Sequence, residues 1–309
     1  VQEIAFAFSN AMAYIEAAIK SGQKVDDFAP GISWIFTAGL NLFEEVAKFR
    51  AARRLWARIM KERFGATVPK AQMLRVHVHT AGSVLTAQQP HNNIVRVTWQ
   101  ALAAMLSGIQ SMATCAYDEA IAIPTEESAV LALRTQQMLA YESGCTDTID
   151  PLAGSYYVEA LTDKMEKEAY EYIKKIDAMG GAVAAIEQGY MQAEMATNAV
   201  NYQYAIEKKS ITVVGVNKYV DDKELGEQEV LKADLSVGQR QVDRLNKMKG
   251  ERDNAAVEAS LTALNKACEG TENLMPYIIE AVKDYATLGE ICGTMKEVFG
   301  EYRQDGSNF

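Results

Sequence analysis

No stretch of this sequence approaches the roughly 18 consecutive apolar residues that would read as a membrane span. No CxxC pair is present either. The four cysteines, Cys115, Cys145, Cys268 and Cys292, lie far apart, which argues against a disulfide framework or a structural zinc site and for a reducing, cytoplasmic setting. Basic charge is not in excess: 31 Lys and Arg against 41 Asp and Glu give a formal charge of −10. That balance argues against a general nucleic-acid or anionic-membrane surface. GxSxG, P-loop and GxGxxG motifs are missing, as are internal repeats and low-complexity tracts. The sequence opens on Val1 rather than Met, and its first twenty residues lack the order of a signal peptide. They read as a helix entered part-way, and the chain is expected to be a fragment.

What is present suits a soluble domain. Apolar residues make up 49% of the 309 positions, enough for a large core in one domain or two smaller ones. Residues 2–20 read as a helix, Ile32–Thr37 as a buried strand and Asn41 to about Arg63 as a helix. Arg50, Arg54 and Arg58 recur on that helix every four residues, a stripe whose plainest reading is a solvated or salt-bridged face. A strand over Met73–Thr80 follows Pro69. Pro90 opens a helix to about Leu106, Ile109–Cys115 reads as a third strand, and Pro124 opens a helix to about Tyr141. This alternation predicts parallel strands with right-handed crossovers, in an α/β sheet or barrel. Three strands alone neither close a barrel nor make a good open sheet, which again points to a fragment. Beyond residue 142 the pattern changes. Asp150–Thr162 reads as a loop or short extended piece, followed by an amphipathic helix through Met165, Ala169, Tyr172, Ile173 and Ile176 that Gly180 and Gly181 end. Another helix spans about 190–208, Ile211–Tyr219 reads as a last strand, and from about Asp234 the chain is charged and helical with breaks near Gly250, Gly270 and Gly289.

All three histidines fall between Arg75 and Arg96. His77 and His79 are two apart on a strand and so face one way. Three readings are open: a metal pair completed by Asp118 or Glu119, hydrogen-bonded structural histidines, or contacts to an organic ligand. Asp118 and Glu119 also suit a helix N-terminal pair.

Several longer stretches carry a resemblance. Glu45–Ala66, Arg75–Arg96, YDEAIAIPTEES (Tyr117–Ser128), ESGCTDTIDPLAGSYYVEALT (Glu142–Thr162) and VVGVNKY (Val213–Tyr219) follow in the order seen in the large subunit of adenosylcobalamin-dependent acyl-CoA mutases, the methylmalonyl-CoA mutase family. The resemblance covers residues 1 to about 220; the remainder resembles, more weakly, the helical C-terminal extension of those subunits. It implies an α/β fold in which residues 1–220 are the C-terminal part of a TIM (β/α)8 barrel and 221–309 a helical extension. It further implies an isomerase that rearranges the carbon skeleton of a branched acyl-CoA, such as methylmalonyl-CoA to succinyl-CoA, by a radical mechanism. Adenosylcobalamin is the implied cofactor, and the implied partners are a cobalamin-binding small subunit or domain and the N-terminal barrel segment. The family's Tyr-His pair near the thioester lies outside this chain.

Position by position, the family's R-x-S-x-F strand is here Gly31, Ser33 and Ile35, and its R-x-H-x-Q-T-x-G is Arg75, His77, His79, Thr80 and Gly82. By resemblance Ser33, His77, His79 and Gln110 contact the acyl-CoA, while Gly82, Glu119, Ala120 and Gln203 meet the cobalamin. Gly31 stands where the family has an arginine that contacts coenzyme A, and His79 where it has glutamine near the thioester or acyl end; these departures admit a branched acyl-CoA other than methylmalonyl-CoA. Ser111–Cys115 reads SMATC where the family has SLHTN. Two alternatives remain beside this one: a metal-dependent barrel hydrolase using His77, His79 and Asp118, and a non-catalytic split subunit that only binds a partner.

Overall fold

In the computed structural model, residues 1–221, 230–232 and 234–302 are described. Two compact units emerge, Val1–Leu231 and Lys232–Phe309. The boundary expected after residue 220 adjoins residues 222–229, which lie outside the described residues.

The larger unit is mixed α/β, mostly helical with a small parallel sheet. Its elements are α1 (Gln2–Lys20), α2 (Val25–Phe28), β1 (Trp34–Ala38), α3 (Leu42–Glu62), α4 (Pro69–Gln72), β2 (Val76–Thr80), α5 (Asn92–Leu106), β3 (Ser111–Ala113), α6 (Glu126–Glu142), α7 (Tyr156–Ala178), α8 (Ala182–Glu187) and α9 (Tyr190–Glu207). The three strands pair in parallel in the order β1-β2-β3. Burial alternates along β1 and β2 with the pleat. Trp34, Phe36 and Ala38 of β1 and Val76, Val78 and Thr80 of β2 are buried. Ile35, Thr37 and His79 on the opposite face are exposed.

The buried face meets one core built from α1, α3 and α7. Ile4, Phe8, Met12 and Ile15 form the apolar stripe of α1, and Phe49, Trp56 and Met60 that of α3. Ile173 and Ile176 of α7 join the same cluster. Helix α7 is also held to α3 by charge, and this is where the arginine stripe is used. Arg50 meets Asp150 at 3.1 Å and Glu159 at 2.7 Å. Arg54 pairs with Asp163 and Glu166, and Arg58 with Glu166 at 2.8 Å.

Two expectations need correction. Tyr156–Thr162 is helix, not loop: it is the first two turns of α7, where Val158 and Thr162 are buried and Thr162 Oγ1 accepts from Arg50 at 3.0 Å. Ile211–Tyr219 is not a strand. It makes one isolated bridge, Val214 to Lys218, and folds back on itself because the Asn217 side chain donates to the carbonyls of Ile206 and Ile211 and accepts from Val213 N.

That unit contains α10 (Ser236–Glu251), α11 (Asn254–Cys268), α12 (Met275–Lys283) and α13 (Leu288–Phe299) around Leu264, Cys268, Ala281 and Ile291. Breaks near Gly250, Gly270 and Gly289 were expected, and the helices are interrupted at 252–253, 269–274 and 284–287. A capping box starts α13: Thr287 Oγ1 accepts from Glu290 N at 3.2 Å, and Glu290 Oε2 accepts from Thr287 N at 2.7 Å. Arg252 grips the same carboxylate with both Nη atoms at 2.8 and 2.7 Å. This guanidinium contact holds the Glu290 carboxyl far below the ordinary carboxylate range. Its contribution is therefore present above that range and is lost only in strong acid. Thr287→Ala removes the cap, and we expect it to cost the unit about 1 kcal/mol, read as a lowered urea midpoint with an unchanged slope.

Candidate functional site

Strand pairing aligns the residues of the open face. Ile35, His77 and Ser111 lie in one row across the three strands, and Thr37, His79 and Ala113 in the next, one step nearer the C-terminal ends. His77 Nδ1 lies 2.8 Å from Ser111 Oγ. His79 Nδ1 lies 2.9 Å from the Thr80 carbonyl and 3.7 Å from Cys115 Sγ. Ser33 is exposed, one residue before β1, at a position that continues the row of Ile35 and Thr37.

Gln110 is placed differently. Its side-chain oxygen accepts from Val76 N at 2.7 Å and its backbone N–H donates to Val76 O at 3.3 Å. The carboxamide thus ties β3 to the first residue of β2, at the end of the sheet away from His79.

At the C-terminal ends of the strands, Thr80 and Cys115 are joined twice. Cys115 N donates to Thr80 Oγ1 at 2.8 Å, and Cys115 Sγ donates to Thr80 O at 3.1 Å. Burial pushes the Cys115 thiol up, so it stays an S–H donor at neutral pH. Gly82 follows in a short 3-10 turn (Gly82–Val84). A Cβ built there would lie 3.4 Å from Glu119 Cγ and 3.7 Å from Cys115 Sγ, so Gly82, Glu119 and Cys115 are neighbours. Glu119 and Ala120 are exposed.

This rim is fixed from beneath. Gln100, fully buried on α5, donates to the carbonyls of Ala38 and Ala81 at 2.9 and 3.1 Å, holding the ends of β1 and β2 together. Asn93, also fully buried, bonds both backbone groups of Thr86 and the Tyr117 carbonyl. Sequence reasoning missed both amides, which carry no local pattern. It also missed Cys115 as a neighbour of His79, although counting two residues on from Ser111 and Ala113 puts it on their side of β3.

Gln203 is exposed on α9 and bonds Glu207 at 2.9 Å. No described hydrogen bond joins it to the rim. The link is indirect: Asn217 holds the end of α9, and Arg96 and Gln89 reach the 214–219 segment through the Val214 and Tyr219 carbonyls.

The metal alternative does not assemble. Among the described residues no three His, Cys, Asp or Glu side chains are grouped to hold an ion. Asp118 is buried and accepts from Thr125 N at 3.3 Å, bracing the turn that leads into α6, rather than joining His77 and His79. No described helix is long and apolar enough to cross a membrane.

Comparison with known proteins gives this geometry its context. The family model described as methylmalonyl-CoA mutase matches residues 1–301. The 2-hydroxyisobutanoyl-CoA mutase large subunit of Aquincola tertiaricarbonis is 46% identical over 98% of this chain and 54% of its own length. Methylmalonyl-CoA mutase of Escherichia coli is 44% identical over 98% of this chain and 42% of its own. The human mitochondrial methylmalonyl-CoA mutase is 37% identical over 98% and 40%. The chain therefore spans about half the length, or less, of these curated relatives. A match that runs almost end to end at such identity leaves one assignment: the chain belongs to the methylmalonyl-CoA mutase family.

Proposed function

We propose that this chain is the C-terminal part of the catalytic barrel of an adenosylcobalamin-dependent acyl-CoA mutase, an isomerase working with a cobalamin-binding partner in the cytoplasm. One observation carries the reading: in a chain of this family, a parallel sheet covers one face with helices and turns two histidines outward on the other, next to an open rim. The three strands are then three of the eight in a TIM barrel, completed by the N-terminal barrel segment. Their bare face lines the axis, and the C-terminal rim is the reactive end, as in barrels generally. The A. tertiaricarbonis relative is a large subunit, which supports a smaller partner.

The residues at the rim suit the cofactor. Gly82 leaves the rim without a side chain, and Glu119 beside it is an exposed carboxylate able to accept from the amide fringe of a corrin ring. Ala120 adds a second small contact, and Gln203 on α9 is the remaining candidate. When bound, adenosylcobalamin supplies the radical chemistry of the 1,2-rearrangement. The chain's own residues orient and shield. His77, braced by Ser111, and His79, braced by the Thr80 carbonyl, hold the acyl-thioester portion. Ser33 contacts the coenzyme A portion below them, and Gln110 keeps the strands at that end in register.

The test uses the intact protein with its cobalamin-binding partner, titrated with branched acyl-CoAs. His77→Ala and His79→Ala are each expected to weaken acyl-CoA affinity or slow turnover about tenfold or more, the effect of losing one well-placed hydrogen bond. Unchanged affinity and rate in both variants would refute the assignment.

A further inference from the structure

The row Thr37–His79–Ala113 contains one polar side-chain atom without a partner among the described residues. Thr37 Oγ1 donates to Glu3 Oε1 at 2.9 Å, and Ala113 has no polar side-chain atom. His79 uses Nδ1 alone. Its near neighbours are the Thr80 carbonyl at 2.9 Å and Cys115 Sγ at 3.7 Å. A carbonyl oxygen only accepts, so Nδ1 carries the hydrogen. The Cys115 thiol does not compete for that role, because its own hydrogen goes to the same carbonyl at 3.1 Å. In the neutral ring Nε2 is then bare, an acceptor on the exposed face of the sheet.

From this we infer that His79 is a specificity-determining residue, selecting an acyl group with a hydrogen-bond donor, namely a hydroxyl on the acyl chain. The inference rests on the mutase reading above and refines its substrate class. A glutamine side chain offers either an N–H₂ or a carbonyl by rotation, so it fits a ligand acceptor as readily as a donor. His79, locked at Nδ1 by the backbone, presents a lone pair only. A hydroxyl meets it; a methyl in the same place leaves Nε2 desolvated and unpaired, and that asymmetry is the source of discrimination.

The experiment is a calorimetric titration of the intact protein with its cobalamin partner, using three acyl-CoAs of like size: one with a hydroxyl on the branched carbon, its deoxy counterpart, and one with a carboxylate there. The hydroxylated thioester is expected to bind about tenfold or more tightly than the deoxy one. His79→Leu removes that preference, bringing the two thioesters to equal affinity, and His79→Gln retains part of it. Ring nitrogen shifts of ¹⁵N-labelled histidine, assigned by difference against His79→Gln, are expected to give Nδ1 protonated and Nε2 bare. Equal binding of the hydroxylated and deoxy forms, or a preference unaltered by His79→Leu, overturns the inference and leaves the mutase reading standing. So does a His79-dependent preference for the carboxylate, which requires a proton on Nε2. Failure of all three thioesters to bind overturns both readings.

Discussion

Lys48→Met is expected to destabilise the larger unit by about 3–5 kcal/mol, the scale for breaking a buried ion pair from one side. Lys48 sits on α3 with its side chain 6% exposed, and its ammonium lies 2.7 Å from Glu3, 2.6 Å from Glu45 and 2.7 Å from the Thr37 carbonyl at the end of β1. Methionine fills similar volume, so the loss is electrostatic. Two carboxylates and a carbonyl are left without their common donor. Glu3 cannot simply swing into water, because it also accepts from Thr37 N at 2.7 Å and Thr37 Oγ1 at 2.9 Å. Burial works against the charged lysine, but Glu3 and Glu45 together outweigh it and hold its pKa above the ordinary lysine value. A raised folded pKa means this stabilisation is fully present below the ordinary lysine pKa and is lost as pH rises through the folded one. Urea unfolding of the intact protein at neutral pH, followed by circular dichroism, measures the cost. In strongly alkaline solution the gap between wild type and variant should narrow. A neutral-pH difference under about 1 kcal/mol would contradict the buried triad.

Trp56→Ala is expected to cost a similar amount, about 3–5 kcal/mol. Trp56 is 1% exposed, with ring centroids 4.7 Å from Trp34 and 5.1 Å from Phe8. Trp34 and Phe8 are themselves 5.0 Å apart. One side chain of α3 thus meets the first helix and the first strand together, in edge and tilted geometries that aromatic rings favour. Alanine leaves a cavity bounded by three separate elements, which cannot collapse as one. Trp56→Phe, which keeps a ring, should lose less than half as much. Thermal unfolding separates the two variants, and the ring contacts would be energetically idle if both matched wild type.

Helices α1, α3, α5 and α6 were legible because each is long, and strands β1 and β2 because apolar residues alternate along them. The first helix, expected over 2–20, is observed as Gln2–Lys20. The failures came where a distant partner decides. Asp150, Pro151 and Gly154 read as turn residues and two of them are, but Tyr156–Thr162 becomes helical because Arg50, more than a hundred positions earlier, bonds Glu159 and Thr162. Ile211–Val214 has strand composition, yet Gly215 at φ +82° and the Asn217 side chain turn it back. At the site, alternation alone put His77 and His79 on one face. It could not say that Nδ1 of His79 is committed to Thr80, that the Gln110 carboxamide is spent on Val76, or that Asp118 turns away into the α6 approach. Those facts depend on register and loop closure, not on spacing.

The arginine clasp between α3 and α7 also sets a timetable. Helices α1 and α3 cover the sheet, but Ile173 and Ile176 of α7, which pack against those two helices, leave the ribosome only after both crossovers and α6 have emerged. Until then the apolar sides of α1 and α3 that face α7 stay bare, the kind of surface that invites association with other chains. Docking of α7, guided by charge at Arg50, Arg54 and Arg58 before its apolar side engages, is the step that ends this exposure.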